Sequence, residues 1–193
     1  MTATRLPEVV LVRHGETLWT LSGQHTGRTD IPLTEEGRRR AELVGERLRG
    51  RTFALVLTSP LQRAAETCRL AGLGDVAAVR DELAEWDYGA YEGRKTVDIR
   101  EEQPGWSLWR DGVPDGETAA DVGRRADRVV EELRSVDGDA AVFAHGHLLR
   151  VLAARWLGLD PAEGRLFALD PATLSILGYE RETPVLRLWN AHA

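Results

Sequence analysis

The stretch Val9-Val10-Leu11-Val12-Arg13-His14-Gly15-Glu16-Thr17 does most to limit what this chain can fold into. An unbroken run of β-branched and leucine residues closed by a glycine reads as a strand buried on both faces, the kind found in parallel sheets covered by helices. The end of such a strand has no structural use for Arg13 and His14. Open α/β sheets, however, bind ligands just beyond the carboxyl ends of their strands. Taken alone, the pair could equally be a polar rim.

Similar runs recur along the chain. Residues 53–57 and 140–144 read as buried strands, with a weaker one at 76–79 and two more, 173–179 and 185–189, around a turn at Glu182-Thr183-Pro184. Between them lie helices. Thr34 caps one that runs to about Arg49, with Glu35 and Glu36 in its first turn and Gly50 after its end. Ser59 and Pro60 predict an N-cap and first helical position for a second. Residues 118–134 are amphipathic, and 147–157 form another helix. Residues 18–33 hold turn formers and read as an ordered loop. Alternating strands and helices predict an α/β fold, a three-layer α/β/α sandwich with a mostly parallel central sheet. Its 193 residues predict a single domain over 1–193. Within it, residues 80–117 lack periodicity and read as an insert covering the active site, packed by Trp86, Trp106 and Trp109.

Composition narrows the partners. A formal net charge of −6 argues against a nucleic-acid binder, and among 25 basic residues only Lys95 is a lysine. Arginine is the better bidentate partner for phosphate, so an acidic protein focusing a few arginines suits a small anion. No apolar run is long enough to span a membrane, and Met1–Arg5 enters the first strand without a signal-peptide core. A cytoplasmic protein is expected. The lone Cys68 predicts a buried structural thiol. Apolar stretches such as 185–189 leave a homodimer open.

Chemistry-bearing residues fall at one predicted sheet edge. Arg13 and His14 follow the first strand, Arg63 opens the helix after the second, Glu85 follows the third, and His145 ends the run 140–144. A neutral imidazole can attack phosphorus, arginines can hold phosphoryl oxygens bidentately, and a carboxylic acid can protonate a departing alkoxide. No acidic cluster suits magnesium and no Walker-type loop is present, so neither metal nor cofactor is expected.

These residues sit in ordered motifs: Leu11–Thr17, Thr26-Gly27, Ser59-Pro60-Leu61-Gln62-Arg63-Ala64, Glu85-Trp86-Asp87-Tyr88-Gly89, Tyr91-Glu92-Gly93, Gly116-Glu117-Thr118 and His145-Gly146-His147. Together they resemble the histidine phosphatase superfamily, which includes the cofactor-dependent phosphoglycerate mutases. The resemblance implies a phosphoglycerate mutase-like fold, with His14 as nucleophile, Glu85 as proton donor, and Arg13, Arg63 and His145 as the phosphate pocket. Thr20 and His147 stand where mutases typically carry asparagines, which favours a phosphatase.

Ser22–Gly27, Trp109-Arg110-Asp111-Gly112 and the His-Gly-His motif are similar to a subgroup holding sedoheptulose-1,7-bisphosphatase and small bacterial acid phosphatases. This implies a metal-independent phosphomonoesterase for small phosphorylated metabolites, sugar phosphates or bisphosphates. Gln24, Thr26, Gly27, Tyr88, Gly146 and His147 would bind substrate, and Arg110 a second anionic group. Tyr88 and Thr26 also match positions that contact substrate in mutases, so a mutase is the alternative. A non-catalytic phosphoryl-binding module is disfavoured because His14, Glu85 and His145 are all present. For His25 and His147, substrate contact and a structural role both stand. Arg38, Arg39 and Arg40 read as a solvated helix face, and His192 as disordered.

Overall fold

Unbroken apolar runs become the inner strands of one sheet. A computed structural model describes residues 6–192, so Met1–Arg5 and any reading of that segment lie outside the described residues. The strands are β1 (Val9–Arg13), β2 (Leu55–Thr58), β3 (Ala77–Val79), β4 (Ala140–Ala144), β5 (Thr173–Glu180) and β6 (Thr183–His192). Their spatial order is β3-β2-β4-β1-β5-β6. The first four run parallel, while β5 and β6 add an antiparallel edge.

The helices are α1 (Leu18–Ser22), α2 (Glu35–Leu48), α3 (Gln62–Leu70), α4 (Thr96–Glu102), α5 (Leu108–Asp111), α6 (Ala119–Arg134) and α7 (Gly146–Trp156). Strand side chains alternate between faces, and the core divides accordingly. Val10 and Val12 pack with Val44 and Leu48 of α2 and Cys68 of α3. Val9 and Leu11 pack on the other side with Val129 and Leu133 of α6 and Leu148 and Leu152 of α7. The three-layer α/β/α sandwich is therefore present. Burial pushes the Cys68 thiol up to about 12, as a structural cysteine requires.

Most element ends follow the local chemistry. Thr34 accepts the Gly37 N–H, and Thr118 exchanges hydrogen bonds with Asp121 in a capping box. Four expectations are corrected. Residues 18–22 are helical where a loop was expected, because Thr17 and Thr20 cap each other reciprocally. α3 begins at Gln62, two residues beyond Pro60, with Leu61 at the N-cap and no side-chain cap. The last turn lies at Arg181-Glu182, and Pro184 sits inside β6, which an edge strand tolerates. His192 is ordered: it pairs with Thr173 and lies 3.6 Å from Asp170.

The 80–117 segment is anchored to the sheet. Trp86, Ile99, Trp106 and Leu108 join the α6–α7 core, and both of those indoles donate to backbone carbonyls, of Glu117 and Gly112. The tryptophans pack this segment, as the sequence suggested. Among the described residues, no helix is long and apolar enough to cross a membrane.

Candidate active site

Parallel pairing brings the site residues together. Arg13 lies opposite Ala144 and Thr58 opposite Phe143, so His14, Ser59 and His145 leave the sheet side by side. The His14 and His145 ring centroids are 5.1 Å apart. His14 is pinned by its backbone N–H to Ala144 O at 2.9 Å. The Gly15 N–H donates to Thr67 Oγ1, and Thr67 donates to Arg63 O, which ties the end of β1 to α3.

His14 Nδ1 lies 2.7 Å from Gly15 O. A carbonyl only accepts, so Nδ1 carries the proton and Nε2 keeps its lone pair. Burial, then the charges of Arg63 and Arg13, hold the His14 pKa well below the usual histidine value. The imidazole is thus the neutral, nucleophilic form.

Around it stand donors without partners. Among the described residues, Arg13 Nε, Arg63 Nε and His145 Nδ1 are buried polar atoms with no hydrogen bond. Arginine stays protonated, and a buried N–H of a charged group left without an acceptor is costly. Three orphans at one sheet edge, from three residues the sequence assigned to a phosphate pocket, describe an anion site. Arg13 donates its Nη1 to Leu169 O, and Gly146 makes room for it: a Cβ there would meet the guanidinium at 3.2 Å.

The expected bidentate grip of Arg63 is not available. Its Nη1 donates to Thr29 O and its Nη2 to Thr26 O and Gly27 O, leaving Nε alone. His145 Nε2 meets Ser59 Oγ at 2.7 Å, and Ser59 also accepts the Leu61 N–H.

Glu85 is held by three backbone N–H groups. Oε1 accepts from Trp86 and Leu148, and Oε2 from His147, at 2.9, 2.9 and 3.0 Å. The last two belong to the first turn of α7, where free N–H groups and the helix dipole favour a carboxylate. His147 also bonds Tyr88 OH through Nδ1 at 2.6 Å. Its pKa is lowered by burial first and then by Arg150.

A cleft of about 260 Å³ opens over His14 and Glu85, with Arg13, Gln24, His25, Thr26, Tyr88, Gly146 and His147 also in its wall. Larger clefts, about 670 and 550 Å³, lie at the amino ends of the strands and between α2 and α3, away from both His14 and His145. His25 stacks 4.7 Å from Tyr88. Gln24 lines the cleft, but its amide is engaged by Gly93 O and Ser22.

Two residues assigned to substrate binding lie outside the cleft wall, as do the fully buried Arg63 and His145. Gly27 is a backbone clamp outside the cleft wall, its N–H held by Glu92. Arg110 is exposed, bound to Asp111 and Gly105 O, and does not reach the cleft. Arg150, which the sequence reading did not single out, is the arginine besides Arg13 that the cleft wall contains. It lines the cleft, lies 4.6 Å over the Trp109 ring, and donates Nε and Nη2 to Gly164 O and Arg165 O. Its spacing of three from His147 on one helix was the available signal.

Among the described residues, no three His, Cys, Asp or Glu side chains are grouped to hold a metal ion.

Comparison with known proteins places the chain in a family. An acid phosphatase of Mycobacterium tuberculosis is 43% identical over 189 residues, covering 93% of this chain and 92% of its own length. Sedoheptulose 1,7-bisphosphatase of Saccharomyces cerevisiae is 38% identical over 186 residues, covering 79% of this chain and 68% of its own. A solved structure of a Mycobacterium tuberculosis open reading frame superposes with a TM-score of 0.91 at 40% identity, covering 96% of this chain and 98% of that one. Residues 9–192 match the histidine phosphatase superfamily (branch 1), and the chain belongs to that family.

Proposed function

We propose that this protein is a phosphomonoesterase for small phosphorylated metabolites, sugar phosphates or bisphosphates, working through phospho-His14. The observation that carries the reading is the set of three buried, unpartnered polar atoms around a neutral histidine.

In the first step His14 Nε2 bonds to phosphorus as the ester P–O bond breaks, and Glu85 gives its proton to the departing oxygen. In the second, Glu85 takes a proton from water as the water oxygen bonds to phosphorus and the Nε2–P bond breaks. Arg13 Nε, Arg63 Nε and a protonated His145 Nδ1 hold the phosphoryl oxygens throughout. Ser59 donating to His145 Nε2 would keep that Nδ1 proton in place. Arg150, the arginine of the cleft wall besides Arg13, supports a second anionic group on the substrate. The bisphosphatase relative supports the same class.

His14→Ala is expected to abolish turnover with the fold intact, and rapid quenching of the wild type with labelled substrate into strong base should trap a base-stable phosphohistidine. Retained turnover would refute the assignment. Activity should persist in a chelator and fall with vanadate. A screen of sugar mono- and bisphosphates, run beside a 3-phosphoglycerate mutase assay, tests the substrate class. Phosphate release supports it, and interconversion of phosphoglycerates would replace it with a mutase.

A further inference from the structure

Glu85 must meet a leaving oxygen, yet it stands on irregular backbone between single turns at Asp81–Leu83 and Gly89–Tyr91. Irregular backbone needs partners from elsewhere to hold one geometry. Its carboxylate is fixed from the front by α7, as described. From behind, one side chain does the holding.

Arg125, on α6, uses all five of its N–H donors. Nε and one Nη2 hydrogen grip Glu117 bidentately at 2.8 and 2.9 Å. Nη1 donates to Glu82 O at 2.7 Å and Ala84 O at 2.6 Å. The second Nη2 hydrogen reaches Glu85 O at 3.1 Å. Glu117 carries the clamp onward: its Oε2 accepts the Asp87 N–H, its N–H donates to Asp87 O, and its carbonyl accepts the Trp86 indole. Residues 82–87 therefore hang on one guanidinium–carboxylate pair, which is only 11% and 23% exposed.

We propose that Arg125 and Glu117 are positioning residues for Glu85, setting where its carboxylate meets the leaving oxygen without touching substrate. The proposal rests on Glu85 being the acid. A planar five-donor fork is what this geometry needs; lysine offers a point charge with three donors on a flexible stem and cannot span three carbonyls and a carboxylate.

The test compares kcat/KM for p-nitrophenyl phosphate and glycerol 2-phosphate in E85Q, R125K, E117Q and the double variant R125K/E85Q, with thermal melts to show folding. Acid catalysis matters for the alkyl ester and little for the nitrophenolate. A misplaced acid should cost about 10- to 100-fold on glycerol 2-phosphate and under about 3-fold on p-nitrophenyl phosphate. The double variant should be no slower than E85Q alone, because Arg125 acts through the group already removed.

A merely structural role would slow both esters alike and multiply with E85Q. Either result in a folded variant overturns the proposal while leaving the acid assignment standing. A flat E85Q profile would overturn the acid assignment and this inference with it. E117Q sets an amide donor against the donors of Arg125 or Asp87, so it decides the matter if R125K does not fold.

Discussion

An imidazole attacks phosphorus only while uncharged, and three histidines in and around the cleft are kept that way. Burial is the leading cause for His14, His145 and His147, with Arg63 next for the first two and Arg150 for the third. In the unfolded chain each would protonate near about 6.5. Between that value and the lowered native one the unfolded state binds more protons, so stability is lost as pH falls through the window. Each histidine contributes up to about 1.4 kcal/mol per pH unit there. Denaturant unfolding from pH 7 downward should show this slope, and His147→Gln should make it shallower; an unchanged slope would contradict the account. Gly146→Ala tests the arginine beside them. The added methyl would displace a guanidinium already tied to Leu169 O, so kcat/KM is expected to fall about 10-fold with little change in melting temperature.

At the scale of elements, the first loop and the 80–117 segment hold the site together. Thr26, Gly27 and Thr29 accept from Arg63, while Glu92 takes the Gly27 and Thr29 N–H groups from the other side. A Cβ on Gly27 would stand 2.6 Å from both Glu92 Oε2 and the Trp86 carbonyl, and backbone cannot give way as a side-chain end can. Gly27→Ala should therefore lower both activity and melting temperature, unlike Gly146→Ala. Helix caps act more locally. Thr118→Ala removes the cap of α6 and is expected to lower unfolding free energy by about 1 kcal/mol, measured in urea.

For the whole molecule, an anion bound by the orphaned donors would raise stability. Inorganic phosphate or vanadate at a hundred times its dissociation constant should stabilise the fold by about 2.7 kcal/mol, and His145→Ala should reduce the gain. Absence of any shift in melting would count against the anion site. The sequence by itself determined the buried strands, the Thr34 cap, and the order of chemistry-bearing residues at one sheet edge. Those signals are local: apolar runs, cap preferences and strand-to-helix turns are written within a few neighbouring residues. Only the tertiary structure decided that Arg63 gives both terminal nitrogens to a loop, that Ser59 faces His145, and that Arg150 stands in the cleft while Arg110 does not. Those outcomes depend on how a helix is rotated and on carbonyls from distant parts of the chain. Thr29 and Arg63 are 34 positions apart, and no local pattern links them.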